Sequence, residues 1–221
     1  MLKRKKKKLF EGYQKDFHLF KKHIKPGREA VYKLKKFIAI LNDYQKKMNL
    51  IGQSTMSSIW TRHILDSAQI EKILPEQNKK YFTVDVGTGA GFPGIVLAAL
   101  GRQDLLLCEK SKKKNIFLNT VAKECNIEFK MYNDKVENLK VSNVKNIVSR
   151  AFAPLKSLLV KVKHCLRYDT TLVLHKGKTY MIEIVDAKNF FSFNYKCYSS
   201  FTNPESKIIK IENVREKNEQ N

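Results

Sequence analysis

Residues 81–99, YFTVDVGTGAGFPGIVLAA, carry the pattern with the most chemical content in this chain. An apolar, β-branched run reaches Asp85 and then breaks into glycines at Gly87, Gly89, Gly91 and Gly94, after which apolar residues resume at helical spacing. The pattern predicts a strand, a tight loop and a helix. A turn with so little side-chain bulk lets a ligand lie against backbone amides, as nucleotide-type cofactors do in α/β folds. No Lys stands where the phosphate-cradling GxxxxGK[ST] needs one, and the glycine order differs from GxGxxG. Asp85 would be an awkward neighbour for a pyrophosphate but a favourable one for an amine or sulfonium, such as those of S-adenosylmethionine. The competing reading is a strand-turn-helix that serves only the fold.

Four more places combine polar groups with predicted strand ends or helix starts. Glu109 follows the short apolar run DLLLC, at close to the roughly 20 residues from the first glycine expected of an acid that accepts ribose hydroxyls. A helix-start carboxylate is its other reading. Lys112, Lys113 and Lys114 open a helix where cations oppose the dipole, so either an anion lies nearby or the cluster is simply solvated. Asn133, Asp134, Lys135 and Glu137 follow the third predicted strand, near where an adenine would lie. The fourth strand ends in SRAFAP, where Arg150 and Phe152 could position a phosphate and stack a base, or Arg150 could serve a salt bridge; Lys176 reaches the same rim from the fifth strand.

The elements that must position these groups follow from periodicity. Residues 11–41 show helical spacing interrupted at Pro26 and Gly27, so a short tail and two helices are expected. A helix starting near Ser57 or Ser58 offers Ile59, Trp60, Ile64 and Leu65 as anchors and Arg62, His63 and Asp66 as polar tips. For His63, a structural hydrogen bond and an active-site role are both open. Strands are expected at residues 127–132, 146–149 and 170–174, helices at 94–100, 110–125 and 155–166, with Ile116, Phe117, Val121 and Ala122 as the inner face of the second. Residues 189–200 and 207–214 alternate as an antiparallel pair closing the sheet, and the last seven residues should fray.

A length of 221 residues with 43% hydrophobic content suits one medium α/β domain with an appended element. The formal net charge of +22 favours a polyanionic partner, nucleic acid before a small acidic substrate. The lysine run at residues 3–8 is either a phosphate-binding arm or a solvated terminus. Four scattered cysteines without CxxC spacing read as buried thiols in a reducing cytoplasm, and neither a membrane span nor a signal peptide is expected.

Taken jointly, NLI at residues 49–51, RHILDS at 62–67, VDVGTGAGFPG at 84–94, Glu109 with Lys113, Lys114, Phe117 and Leu118, KVE at 135–137, SRAFAPL at 149–155 and HKG at 175–177 occur in family order. On these motifs the chain resembles the bacterial glucose-inhibited division protein B family, the small-subunit ribosomal RNA guanine-N7 methyltransferases. The resemblance implies a Rossmann-like class I methyltransferase fold: an α/β protein with a mostly parallel seven-stranded sheet, an antiparallel C-terminal pair and N-terminal helices. It implies S-adenosyl-L-methionine as cofactor and N7 of one guanosine in 16S ribosomal RNA, or the small ribosomal subunit, as target.

Carried onto this chain, the expected cofactor contacts are Asp85, Gly87, Thr88, Gly89, Gly91, Phe92, Glu109, Lys135, Val136, Glu137 and Arg150. Arg150 and Lys176 are the expected catalytic residues, and Arg62, His63, Lys113, Lys114 and Lys176 the expected RNA contacts, with no metal. The expected division is 1–30 as lysine-rich tail and helix, 31–75 as helical portion, 76–214 as cofactor-binding domain and 215–221 as a frayed tail, in a cytoplasmic monomer without membrane contact. Three departures stand out: Lys135 where many members have arginine, Ile51 where NLT is common, and a longer lysine-rich stretch before Val31. The alternatives are a methyltransferase for another RNA base or class, or a non-catalytic RNA-binding assembly factor on the same scaffold.

Overall fold

A computed structural model describes residues 2–217, with side chains from residue 13 onward. Its strands are β1 (Phe82–Val86), β2 (Leu105–Cys108), β3 (Lys130–Tyr132), β4 (Val144–Arg150), β5 (Thr171–Lys176), β6 (Phe191–Ser199) and β7 (Lys207–Glu216). They form one seven-stranded sheet in the order β3-β2-β1-β4-β5-β7-β6. The first five run parallel, β7 lies antiparallel to β5, and β6 pairs antiparallel with β7 at the edge. The expected class I architecture is therefore the observed one. β1 and β2 are buried along nearly their whole length because helices cover both faces of the sheet, and β2 is an unbroken apolar run.

The helices are α1 (Leu2–Ile24), α2 (Arg28–Gln45), α3 (Asp66–Ala68), α4 (Gly94–Ala99), α5 (Lys112–Cys125), α6 (Leu155–Val162) and α7 (Tyr180–Phe190). The sheet divides the interior into two apolar clusters, one on each face. On one face Phe20, Phe37 and Trp60 of the N-terminal region join Phe92, Ile95 and Phe117. On the other, α6 and α7 pack over Val84, Ile147 and Leu172.

Several expectations need correction. Helix α1 includes residues 3–8, so the lysine run expected as a short tail is helical. The segment read as one helix from Ser57 is a 3-10 turn (Gln53–Ser58), a π-helical stretch (Trp60–Leu65) and α3. Ile116 is exposed, and Leu118 and Cys125 take the inner face of α5 with Phe117 and Val121. Helix α7 has apolar residues all around it, with Met181, Ile182 and Val185 exposed and Ile184 and Ala187 buried, so no single stripe announces it. Strand β7 runs through Arg215 and Glu216, where fraying was expected; residues 218–221 lie outside the described residues. Cys197 on the edge strand is exposed, unlike Cys108, Cys125 and Cys165. Among the described residues no helix is long and apolar enough to cross a membrane, and no cluster suited to a metal ion occurs.

Candidate active site

The carboxyl ends of β1, β2, β3 and β4 share one rim, where open parallel sheets take their ligands. After β1 the chain turns through Gly87, Gly89 and Gly91 at φ of 67°, 60° and 89°, a region that strains any L side chain. At Gly87 a Cβ would also collide with the Phe152 ring. The loop is held from inside by Asp85, which is completely buried. Its Oδ2 accepts from Thr88 Oγ1 at 2.6 Å and from the Gly94 amide at 2.8 Å. Burial pushes the Asp85 pKa up to about 6, against the opposing pull of those two hydrogen bonds and of Arg150. Asp85 and Thr88 thus tie the loop to the first turn of α4 instead of facing a ligand directly. The Asp85 Oδ1 is buried without a hydrogen-bond partner and keeps an acceptor in reserve.

Glu109, just beyond β2, is buried and fixed by two backbone amides, Gly89 on Oε2 at 3.1 Å and Ser111 on Oε1 at 2.8 Å. The Lys114 ammonium stands 3.8 Å from Oε2. A carboxylate offers about four acceptor sites, so Glu109 has capacity left for a pair of hydroxyls. It borders a cavity of 470 Å³ whose wall includes Gly87, Lys114, Lys135, Val136, Glu137 and Phe152. That volume falls within the roughly 300–1,000 Å³ of small-molecule and cofactor sites. Val136 is buried, while Glu137 is ion-paired with Lys161, which lowers its carboxyl pKa. An approach over Gly87, an apolar wall at Val136 and Phe152, and a fixed carboxylate with spare acceptors together fit an adenosine-bearing cofactor.

A second constellation lies where β4 meets the N-terminal helices. Arg150 donates from Nη1 to the Arg62 carbonyl at 3.0 Å and to Asp66 Oδ2 at 3.2 Å, and from Nη2 to His63 Nδ1 at 2.6 Å. Its guanidinium lies 4.9 Å above the Phe92 ring. A guanidinium only donates, so His63 Nδ1 must be an acceptor and Nε2 must carry the proton. That proton is given to Thr55 Oγ1 at 2.7 Å, and Thr55 in turn donates to the Gly52 carbonyl at 2.6 Å. Burial, reinforced by Arg150, lowers the His63 pKa to about 3, which keeps the ring neutral. Asp66 also accepts from Thr202 Oγ1 and Gln69 Nε2 through Oδ1, and its carbonyl accepts from His175 Nε2 at 2.7 Å. Burial raises the Asp66 pKa, but the combined effect of His175, Arg150 and the Thr202 hydroxyl leaves it below the usual carboxylate range.

The structure therefore sorts the expected residues into groups. Gly87, Glu109, Lys135, Val136 and Glu137 meet on the cavity, and Lys114, expected to contact RNA, lines it as well. Gly89 contributes its amide to Glu109, and Gly91 supports the turn beside Ile95. Phe92, expected on the cofactor, instead packs among Phe37, His63 and Arg150. Arg62 and Lys113 are exposed. Lys176, expected on the rim as a catalytic and RNA-contacting cation, is nearly buried and donates to the Ala153 carbonyl and Glu183 Oε2, each at 2.7 Å. It holds the 151–154 segment against α7 and borders an adjacent cavity of 390 Å³. Thr55 was absent from the expected residues; Phe152, expected to stack a base, lies against Gly87 on the cavity wall, and Asp66, expected only as a polar tip, receives Arg150.

Residues 30–210 match the protein family described as rRNA small subunit methyltransferase G. The chain belongs to this family. A family relative from Rickettsia felis, named ribosomal RNA small subunit methyltransferase G, is 35% identical over 187 residues, spanning 85% of this chain and 95% of that protein. Its counterpart from Orientia tsutsugamushi is 36% identical over 185 residues, spanning 84% and 91%. Among solved structures, a ribosomal protein L11 methylase from Lactobacillus delbrueckii subsp. bulgaricus superposes with a TM-score of 0.54 at 17% identity, covering 74% of this chain and 80% of that one. At that identity the likeness speaks to the fold alone. The family match takes in both constellations but stops short of α1.

Proposed function

We propose that this chain transfers a methyl group from S-adenosylmethionine to N7 of a guanosine in 16S ribosomal RNA. The observation that carries the reading is the pairing of the Glu109 cavity with the Arg150 cluster at the ends of β2 and β4, the two strands that flank β1, in a chain whose family is described as rRNA small subunit methyltransferase G. When bound, S-adenosylmethionine supplies an electrophilic methyl on a sulfonium. In this chain Glu109 would accept from the ribose hydroxyls, Val136 and Phe152 would flank the adenine, and Gly87 would let the backbone come close.

Guanine N7 has an in-plane lone pair and loses no proton on methylation, so the protein must bind and orient the base more than deprotonate it. Arg150 suits that task. Its three hydrogen bonds to Arg62, Asp66 and His63 leave two of five guanidinium N–H groups for guanine O6 or a phosphate. His63, held neutral, withholds a second positive charge from a place where the base itself becomes cationic. Lys176 acts at one remove, by fixing the Ala153 carbonyl and Glu183.

The test is incubation with methyl-labelled S-adenosylmethionine and, separately, naked 16S rRNA, assembled small subunits and tRNA. Label is expected in one or both of the first two. Label in tRNA alone, or in none, would contradict the reading.

A further inference from the structure

Helix α1 precedes the residues matched by the family model, yet it is tightly joined to the site. Phe17 and Phe20 pack on the Trp60 ring at centroid distances of 4.7 and 5.2 Å, and Tyr13 meets its edge at 6.1 Å. Phe20 and Trp60 have no exposed surface, so this end of α1 is anchored to the π-helical stretch that carries Arg62 and His63. The anchoring brings His23 onto Phe201, in the turn between β6 and β7. Their rings stack 4.7 Å apart with an interplanar angle of 26°. Even so, Phe201 remains 51% exposed.

Phe201 is in register with the active site. Its amide donates to Gln69 Oε1 at 2.9 Å, Gln69 Nε2 donates to Asp66 Oδ1 at 2.9 Å, and Asp66 Oδ2 receives Arg150 at 3.2 Å. Exposed Lys21 and Lys22 share the last turn of α1 with His23, and exposed Lys25 follows it. An aromatic ring left in water beside a cationic helix end suits a single-stranded nucleic acid, which offers flat bases and phosphates together, better than it suits an apolar protein segment.

We propose that Phe201, backed by His23, is a stacking platform for an unpaired RNA base flanking the guanosine held at Arg150, with Lys21, Lys22 and Lys25 reaching the adjoining phosphates. The placement of that base rests on the function proposed above. Phe201 lies within the residues matched by the family model, whereas His23 and the three lysines precede them.

The test compares the full chain with Phe201→Leu, Phe201→Trp, Phe201→Ala and His23→Ala. The probe is a fluorescein-labelled single-stranded RNA oligonucleotide of mixed sequence containing guanosine, read by anisotropy, with S-adenosylmethionine affinity and Tm measured in parallel. Phe201→Leu and Phe201→Ala should weaken RNA binding by about tenfold, the scale of one lost base-aromatic stack, whereas Phe201→Trp should bind like the wild type. Cofactor affinity should not change. If Phe201→Ala lowers Tm, the Leu and Trp pair still decides, because Leu keeps the apolar bulk and loses only the π face. RNA affinity of Phe201→Leu equal to wild type, or no RNA binding by the wild type, would overturn the platform. Should the wild type bind this RNA but place no methyl in 16S rRNA, the proposed function fails while the Leu and Trp contrast still judges the platform.

Discussion

Arg150 and His63 are joined by a 2.6 Å hydrogen bond in which the guanidinium donates to Nδ1, and this fixes both the tautomer and the neutrality of the imidazole. The bond ties the end of β4 to the N-terminal helical layer. If Arg150 orients the guanosine, Arg150→Ala should lower kcat about a hundredfold with cofactor affinity retained. Arg150→Lys should recover little, since a single ammonium cannot span Arg62, Asp66 and His63. Single-turnover kinetics with calorimetric cofactor binding would check this; wild-type turnover in Arg150→Ala would remove Arg150 from the mechanism.

Glu109 combines two amide hydrogen bonds with a place on the cavity wall. Glu109→Ala should weaken S-adenosylmethionine binding by roughly ten- to a hundredfold, the range for hydrogen bonds to a charged group. Calorimetry would measure it. An unchanged Kd would place the ribose elsewhere.

Gly94 is required for lack of space rather than for φ. A Cβ there would sit 2.7 Å from Asp85 Oδ2 and 2.9 Å from Leu107. Gly94→Ala should cost about 1–3 kcal/mol, as overpacking does, and loosen the loop that Asp85 holds. Gly177→Ala, with nothing within 4 Å of the new carbon, should stay within about 0.5 kcal/mol. Urea denaturation of the two variants gives the comparison.

Acidification should act on His63 and Asp85 in opposite directions. Below the ordinary histidine pKa of about 6.5 the unfolded chain takes up a proton that native His63 refuses until about pH 3, so stability falls as pH falls through that window. Buried His175, also lowered, adds to the loss. Asp85 is raised to about 6, so the native state protonates first and gains stability between about pH 6 and the ordinary value near 4. A plot of Tm against pH should therefore flatten in His63→Asn and steepen in Asp85→Asn. Parallel curves for all three proteins would contradict these assignments.

The seven-stranded sheet was expected from the family resemblance, whereas the individual strands and the Gly87 turn were legible because alternation, apolar runs and glycine clusters are local signals. Glu109 was legible for the same reason: its place is set by distance along the chain from the first glycines. Asp85 was read as facing the ligand because sequence shows that an acid ends the strand but not which way the carboxylate turns; the Thr88 hydroxyl and Gly94 amide turn it inward. Lys176 misled in the same way, since its partner Glu183 sits on α7, a helix without an apolar stripe to reveal it. The link from Thr202 through Asp66 to Arg150 joins residues far apart in sequence, and no spacing rule finds it.

The central claim is the position of the transferred methyl. After reaction with labelled S-adenosylmethionine, the 16S rRNA is digested to nucleosides and the label located by mass spectrometry, with the modified residue mapped by strand scission at N7-methylguanosine. The expected result is label on N7 of a single guanosine, lost in Arg150→Ala. Label on another atom or base, or none in 16S rRNA from the wild-type protein, would contradict the account.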